Sequence, residues 1–422
     1  MVPEALSRHA LIERFQTIRN FTEHLCDPLE TEDYVVQSMP DVSPTKWHLS
    51  HTSWFFENFV LDLEMPSYRS PKPEYAFLFN SYYVQSGERH YRPHRGLITR
   101  PTVEEVFKYR QHVSQHVEKL IDEASQETVV RIAPIIELGL NHEQQHQELL
   151  LTDIKHVFSV NPMKPAYAES KPVQRASATP LEWIPFESGV HEVGHSGASF
   201  AYDNEGPRHK VYLEPYELGS RLVTNREYLD FIEDGGYERA ELWLTDARPK
   251  VDEEGWRAPI YWEKEDAGWR QFTLAGMHDL ADDEPVCHLS YYEADAFARW
   301  ADCRLPTEME WEVAADNVQL EGNFVDSAAL HPTSPPKANS GTVSQLFGDV
   351  WEWTGSHYSP YPGYKPAPGA VGEYNGKFMC NQFVLRGGSC ATSITHIRST
   401  YRNFFPADAR WQFAGLRLAR SV

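Results

Sequence analysis

Apolar residues recur at intervals of three and four through the N-terminal part of the chain. Leu11, Phe15, Ile18, Phe21 and Leu25 form a first stripe, the mark of one helix face. A second helix is expected to begin at Ser43-Pro44, with Ser as N-cap and Pro at the first helical position. It carries Trp47, His51, Trp54, Phe55 and Phe59, and Pro66 stops it. In a third, Thr102 and Glu105 read as a capping box after Pro101, and Val106, Phe107, Val113, Val117, Leu120 and Ile121 supply a face. A fourth is expected from after Pro134 to about Phe158. Four amphipathic helices with long connections predict a four-helix bundle over residues 1–160.

The periodicity then stops. NPMKPAYAESKPVQRASATPLEW (161–183) is rich in Pro, Ala, Ser and Lys and reads as an interdomain linker. From 184 to 422, short alternating pieces such as HKVYLEPYELG are interleaved with Gly, Pro, Trp and Asp. SYYEADAFARWAD (290–302) is the clearest helical stretch there. The expected fold class is therefore multidomain, an α bundle followed by a loop-rich α+β domain.

Composition narrows the function. A formal net charge of −22 argues against nucleic acid or an acidic membrane surface as partner. No run approaches 18 apolar residues, and MVPEALSRHALIERF has no signal-peptide core. The five cysteines, Cys26, Cys287, Cys303, Cys380 and Cys390, are few, odd in number and scattered, which suits reduced thiols in a cytoplasm.

The chemistry concentrates in NHEQQHQELL (141–150), where His142-Glu143-Gln144-Gln145-His146 matches the zinc-protease pattern H-E-x-x-H. Positions i and i+4 share a helix face, so two imidazoles project together. A protease needs a third ligand as well. A metzincin would place Gly at 149 and His at 152, where this chain has Leu149 and Thr152. A thermolysin-like enzyme needs a later helical glutamate, and the next acidic residue past Asp153 is Glu169 in the linker. A bundle offers instead a ligand from another inward helix, either His48 or His51 in PTKWHLSHTSWFF. Imidazole suits Fe, Zn, Cu and Ni, so the ligands alone do not choose the metal.

Three further groups carry chemistry. Arg92 and Arg95 in YRPHRG can clamp a carboxylate by bidentate hydrogen bonds, or form an exposed basic loop. Tyr82 and Tyr83 in NSYY can deliver a proton, or pack as an aromatic pair. Phe404 and Phe405 can face a quaternary ammonium, or fill a core.

Taken together, DYVVQSMPDVSPTKWHLSHTSWFFENFVL (33–61), FNSYYVQSGERHYRPHRGLITRPTVEEV (79–106) and NHEQQHQELLLTDIKHVF (141–158) resemble the DinB-like domain of ergothioneine-biosynthesis sulfoxide synthases, the EgtB family. LVTNREYLDFI (222–232), PVCHLSYYEADAFARWADCRLPTEMEWEVAA (285–315), LFGDVWEWTGS (346–356) and VLRGGSCATS (384–393) resemble the formylglycine-generating-enzyme fold, related to C-type lectins, that these synthases carry at the C-terminus.

The resemblance implies a non-haem iron(II) enzyme that uses O2 to join a thiol sulfur to C2 of the imidazole of Nα-trimethylhistidine (hercynine) and to oxidise that sulfur to a sulfoxide. The implied ligands are His51, His142 and His146, with Gln145 on the hercynine imidazole. Arg92 and Arg95 take the thiol substrate's carboxylate, Tyr82 and Tyr83 stand beside the iron, Phe404 and Phe405 line the trimethylammonium pocket, and Asn403 meets the hercynine carboxylate. Phe405 stands where the branch using γ-glutamylcysteine is expected to carry an acidic residue, so cysteine is the implied thiol.

Other readings are a relative that takes a selenium analogue, an H-E-x-x-H zinc hydrolase, a formylglycine-generating oxidase and a non-catalytic binding module. The oxidase needs a second cysteine after Cys390, absent from CATSITHIRSTYR, and the binding module leaves three histidines unexplained. No G-x-G-x-x-G follows a strand and opens a helix, so hercynine is expected to come from another protein.

Overall fold

In the computed structural model, residues 7–169, 177–316, 318–335 and 341–422 are described. Two units share them. Unit 1 comprises Met1–Asn161, Gly197–Tyr202 and Lys365–Gly376, and unit 2 comprises Pro162–Ser196, Asp203–Tyr364 and Lys377–Val422. Of the stretch read as a linker, residues 170–176 lie outside the described residues.

Unit 1 is built on helices α1 (Arg8–His24), α2 (Thr45–Phe56), α3 (Val103–Glu123) and α4 (Gln126–Val160). The capping box at α3 forms as its sequence dictates: the Thr102 side chain accepts from the Glu105 amide, and Glu105 accepts from the Thr102 amide. Two termini differ from the sequence reading. Helix α2 begins at Thr45, and Ser43 does not cap it, because the Ser43 amide and hydroxyl are used in tertiary bonds described below. Helix α4 begins at Gln126 under a Ser125 cap rather than after Pro134. Pro134 sits on the exposed face of the helix, where water can reach the backbone carbonyl that the missing proline N–H leaves unpaired.

All twelve residues of α2 are buried, so this helix is the axis of the bundle. It continues into a π-helical turn, Glu57–Leu61, and the helical path ends before Pro66. Phe15, Trp54, Phe56, Val113, Val117, Ile136 and Leu140 share one apolar core. Gly139 sets the approach of α4 to α2. A Cβ there would lie 2.6 Å from a Phe56 ring atom and 2.8 Å from one of Phe55, closer than carbon atoms pack. The missing side chain lets the next turn of α4, with His142, lie against His51.

Among the described residues, unit 2 holds four small sheets. One has the order β1 (Trp183–Phe186), β4 (Tyr216–Gly219), β12 (Ala419–Ser421), and another pairs β2 (Gly189–Val193) with β3 (His209–Leu213). A third runs β5 (Trp262–Glu265), β6 (Gly268–Thr273), β7 (Gly276–Asp279). The fourth runs β10 (Asn403–Pro406), β9 (Gln382–Arg386), β8 (Trp351–His357), β11 (Ala414–Gly415). Helices α5 (Asn225–Glu233), α6 (Tyr291–Trp300) and α7 (Glu308–Ala315) each open on a capping box, Thr224/Glu227, Ser290/Glu293 and Thr307/Glu310. With so little regular sheet, buried ion pairs hold the loops. Arg386 meets Glu308 and Glu312, Arg402 meets Glu308, Arg410 meets Glu293, and Arg417 meets Glu352.

Candidate metal centre

Helix α2 supplies His51 and α4 supplies His142 and His146. All three are buried, and one nitrogen from each lies within 4.8 Å of the others. His51 is clamped between two indoles, stacked on Trp47 at 4.6 Å and on Trp54 at 5.5 Å. Its Nδ1–H donates to the Phe79 carbonyl at 2.6 Å, which leaves the Nε2 lone pair facing His142 Nε2 at 3.2 Å. His142 packs on Phe55, and its Nδ1 finds no hydrogen-bond partner. His146 Nδ1 lies 2.9 Å from His48 Nδ1.

His48 also touches Asp153, with Nε2 3.0 Å from Oδ2. Both nitrogens of His48 are therefore engaged, and the group of three converging histidines includes His51 and not His48.

Burial holds the His51 and His146 imidazoles well below the usual histidine range, reinforced by neighbouring imidazoles, and holds His142 down to about 4. Three neutral imidazoles with lone pairs converging in a buried space suit a late first-row divalent ion, iron(II) among them. No carboxylate belongs to the set.

Glu143 is turned away. Its carboxylate bonds Arg19 at 3.0 Å, the Arg110 guanidinium, and the Thr22 hydroxyl at 2.6 Å, all at almost zero exposure. Burial pushes the Glu143 carboxyl up, but the two guanidiniums outweigh it and hold it below the usual carboxylate range. A group pinned this way is not the free base that a zinc protease places beside its metal.

The remaining candidates in unit 1, Gln145 apart, gather on the loops between α2 and α3. Arg95 is buried, its guanidinium 3.3 Å from the centre of the Trp47 ring and its Nη1 donating to the Ser43 hydroxyl at 2.9 Å. Its Nε has no hydrogen-bond partner, and its Nη1 reaches a hydroxyl rather than a carboxylate. Burial pushes this guanidinium down to about 9, outweighing the Asp153 carboxylate that acts on it from beyond Ser43. Arg92 donates to the Tyr82 hydroxyl at 2.9 Å and to the Asp41 carbonyl, and its Nε is likewise unpartnered. Tyr83 is buried against Trp54 and Phe59, at 5.5 and 5.1 Å, which places it one ring removed from His51. Burial raises its hydroxyl above the ordinary tyrosine range. Gln145 is half-buried on α4 between the two histidines.

Sequence reasoning missed Tyr374. The segment 365–376 belongs to unit 1, and Glu373 accepts the amides of Val84 and Gln85 at 2.7 and 3.0 Å. This brings the Tyr374 ring to 6.4 Å from Tyr82. No local pattern signals a contact across 290 residues.

Asn403, Phe404 and Phe405 lie on β10 in unit 2, antiparallel to β9. Successive strand residues face opposite sides. Phe404 stacks on Tyr358 at 4.0 Å, and Phe405 meets Trp411 edge-on at 6.0 Å. Asn403 falls on the Phe405 side by the same alternation. The five cysteines form no disulfide; Cys26, Cys287 and Cys390 are buried, and Cys380 is exposed. Among the described residues, no helix is long and apolar enough to cross a membrane.

Comparison with known proteins accounts for both units. Residues 14–150 match the DinB superfamily, and residues 168–344 and 337–422 match the sulfatase-modifying factor enzyme 1-like domain. The chain is 33% identical to the hercynine oxygenase of Mycolicibacterium thermoresistibile over 313 residues, 67% of this chain and 68% of that protein. It is 31% identical to the hercynine oxygenase of Mycobacterium tuberculosis over 310 residues, 68% of this chain and 72% of that protein. A formylglycine-generating enzyme of Streptomyces coelicolor is 29% identical over 270 residues, 54% of this chain and 84% of that one. A helical DinB-like region carrying a three-histidine cluster, followed by a loop-rich domain like that of formylglycine-generating enzymes, places this chain in the hercynine oxygenase family.

Proposed function

We propose that the chain is an O2-dependent, iron(II)-containing sulfoxide synthase of ergothioneine biosynthesis. It joins the sulfur of cysteine to C2 of the hercynine imidazole and delivers hercynylcysteine sulfoxide. The observation that carries the reading is a buried, carboxylate-free cluster of three imidazoles in the same unit as a buried arginine, Arg95, that no carboxylate contacts directly among the described residues.

The overall reaction balances without an outside reductant. The imidazole C–H and the thiol S–H each lose hydrogen, a C–S bond forms, one oxygen atom enters the sulfoxide and the other leaves as water. His51, His142 and His146 would hold the iron. Iron(II) bound there supplies the one-electron chemistry that lets O2 react with a thiol and an aromatic carbon.

The chain's own groups orient and exclude. Arg92 and Arg95 take the cysteine carboxylate and so fix its sulfur, a task that binding in a near-attack geometry performs for any two-substrate reaction. The hercynine end is assigned to Gln145, Asn403, Phe404 and Phe405; strand alternation gives Asn403 and Phe405 a shared face, so the cation–π contact falls first to Phe405. Tyr82 and Tyr83 keep a phenolic proton available for transfer. Trp47, Trp54 and Phe55 wall the site against water.

The test is anaerobic reconstitution with iron(II), followed by hercynine and O2 with cysteine, γ-glutamylcysteine or a selenium-containing analogue, read by mass spectrometry. Hercynylcysteine sulfoxide formed fastest from cysteine supports the reading. A faster reaction with γ-glutamylcysteine or the selenium analogue replaces the substrate, and no iron-dependent product with any of them overturns it.

A further inference from the structure

The environment of His146 contains a chain of polar contacts that no ligand role requires. The Asp153 carboxylate accepts the Ser43 amide through Oδ2 at 2.8 Å and meets His48 Nε2 at 3.0 Å. His48 Nδ1 faces His146 Nδ1 at 2.9 Å. All four residues are buried, and Asp153 Oδ1 has no partner. Helix α2 contributes His48, one turn before the candidate ligand His51. Helix α4 contributes Asp153, two turns after the candidate ligand His146 and on the same face.

Proton counting orders the chain. An ionised carboxylate only accepts hydrogen bonds, so the hydrogen between His48 and Asp153 belongs to His48 Nε2. A neutral imidazole carries one N–H, which leaves His48 Nδ1 as a bare acceptor. With His48 neutral, the contact at 2.9 Å is donated by the His146 Nδ1–H. That tautomer leaves the lone pair of His146 at Nε2. Reversing either contact would put the hydrogen of His146 on Nε2 and remove it as a ligand.

We propose that His48 and Asp153 are positioning residues that lock His146 in its metal-binding tautomer and orientation. The proposal rests on the three-histidine metal reading above. It distinguishes the three imidazoles. His51 is fixed by a backbone carbonyl, His142 has no partner at Nδ1, and His146 is held by a relay ending in a negative charge. Partners behind a ligating histidine that end in a carboxylate raise its basicity as well as orienting it.

The experiment uses the full chain. In the metal-free protein at pH 8, two-dimensional 15N–1H spectra of the imidazoles, assigned with His48→Phe and His146→Ala, report which nitrogen carries each hydrogen. The expected result is hydrogen on Nδ1 for His146 and on Nε2 for His48. Cobalt(II) affinity, read by competition with a chromophoric chelator, is then compared among variants of unchanged melting temperature. His48→Phe removes the acceptor, and Asp153→Asn removes the charge that orders the relay; each should weaken cobalt(II) binding about 10- to 100-fold, the range for partners behind a ligand. In His48→Asn the Oδ1 atom stands where Nδ1 stood, so affinity should return to within about threefold of the parent, because a retained acceptor restores what a void would not.

Hydrogen on His146 Nε2 in the metal-free protein, or a folded His48→Phe that binds cobalt(II) as the parent does, overturns the proposal. If His48→Phe does not fold, Asp153→Asn and the parent's spectra decide. A parent chain that binds no cobalt(II) sinks the metal reading, while the spectra still decide the order of the relay.

Discussion

Substituting Glu143 by Gln separates the family reading from the protease pattern that its sequence matches. Gln keeps the shape and removes the charge. In the folded chain Glu143 stands between Arg19 and Arg110, whose side chains are 3% and 0% exposed, and its own side chain is fully buried. Glu23, at 45% side-chain exposure, also bonds Arg110 at 2.9 Å, but nothing else of negative charge pairs with Arg19 among the described residues. Breaking a buried pair by removing one partner costs about 3–5 kcal/mol, because the remaining charge stays buried without compensation. For a cooperative unit of 150–250 residues each kcal/mol is worth about 2–4 °C, so the melting temperature should fall by about 6–20 °C.

Turnover of hercynine and cysteine at 20 °C, normalised to folded protein, should remain within about tenfold of the parent, since a group held by two guanidiniums takes no part in proton transfer. Calorimetry and steady-state assays on the same preparation give both numbers. An unchanged melting temperature together with a loss of activity beyond about a hundredfold, the usual scale for a lost general base, would refute the reasoning.

Three other outcomes are expected. Arg95→Gln should raise the KM for cysteine about 10- to 100-fold with a smaller effect on hercynine, because a hydrogen bond to a charged group contributes about 1.5–3 kcal/mol; equal effects on both substrates would reassign the residue. Tyr82→Phe and Tyr83→Phe should bind iron and both substrates normally, and the variant that loses the acting phenol should divert product from the sulfoxide to cysteine sulfinate; an unchanged product ratio and rate in both removes the pair from the mechanism. Burial holds His142 down to about 4 in the folded chain, so on acidification the unfolded chain, with a pKa near 6.5, takes up the proton first. The His142 contribution to metal-free stability should therefore be complete above pH 6.5 and fall by up to about 3 kcal/mol as pH drops from 6.5 to 4, with the likewise depressed His51 and His146 adding to the loss in the same direction; denaturant titrations flat across that window contradict it.

What the sequence disclosed follows the range of the forces involved. The α3 capping box needs only residues three apart, and it forms as read. The pair His142 and His146 needs only the pitch of a helix, and a third histidine among large aromatics could be found on the facing helix. The start of α4 was misplaced because Pro134 reads as a boundary, whereas on an exposed face its missing amide is cheap. Ser43 reads as a cap by local propensity, yet Asp153 and Arg95, far along the chain, claim both of its polar groups. Tyr374 reaches the Tyr82 loop through an excursion of the chain that no periodicity announces. The relay behind His146 did leave a trace: His48 precedes His51 by three, and Asp153 follows His146 by seven, both helical spacings. Reading it required knowing that α2 and α4 face each other.

The placement of carboxylates explains why one spacing serves two kinds of chemistry. In the H-E-x-x-H helix the glutamate lies about 100° around the axis from the first histidine, since each residue advances the helix by that angle. Whether it reaches the metal depends on what packs there, and here Arg19 and Arg110 occupy that side and neutralise it. Asp153, the other acidic residue near the cluster, stands behind His48 and touches no candidate ligand directly. A divalent ion held by three neutral imidazoles would keep its full charge, and Arg95 adds a cation with no carboxylate in direct contact among the described residues, Asp153 acting on it only across Ser43. Within a chain of net charge −22 this leaves a buried positive spot. Such a spot favours a substrate that brings two negative groups, a carboxylate for the arginines and a thiolate for the ion, because in a low-dielectric site each unpaired charge is costly to leave unmet. In the proposed function, thiol recognition and a carboxylate-free ligand set would be one electrostatic requirement, met by turning Glu143 and Asp153 of α4 away from the three histidines.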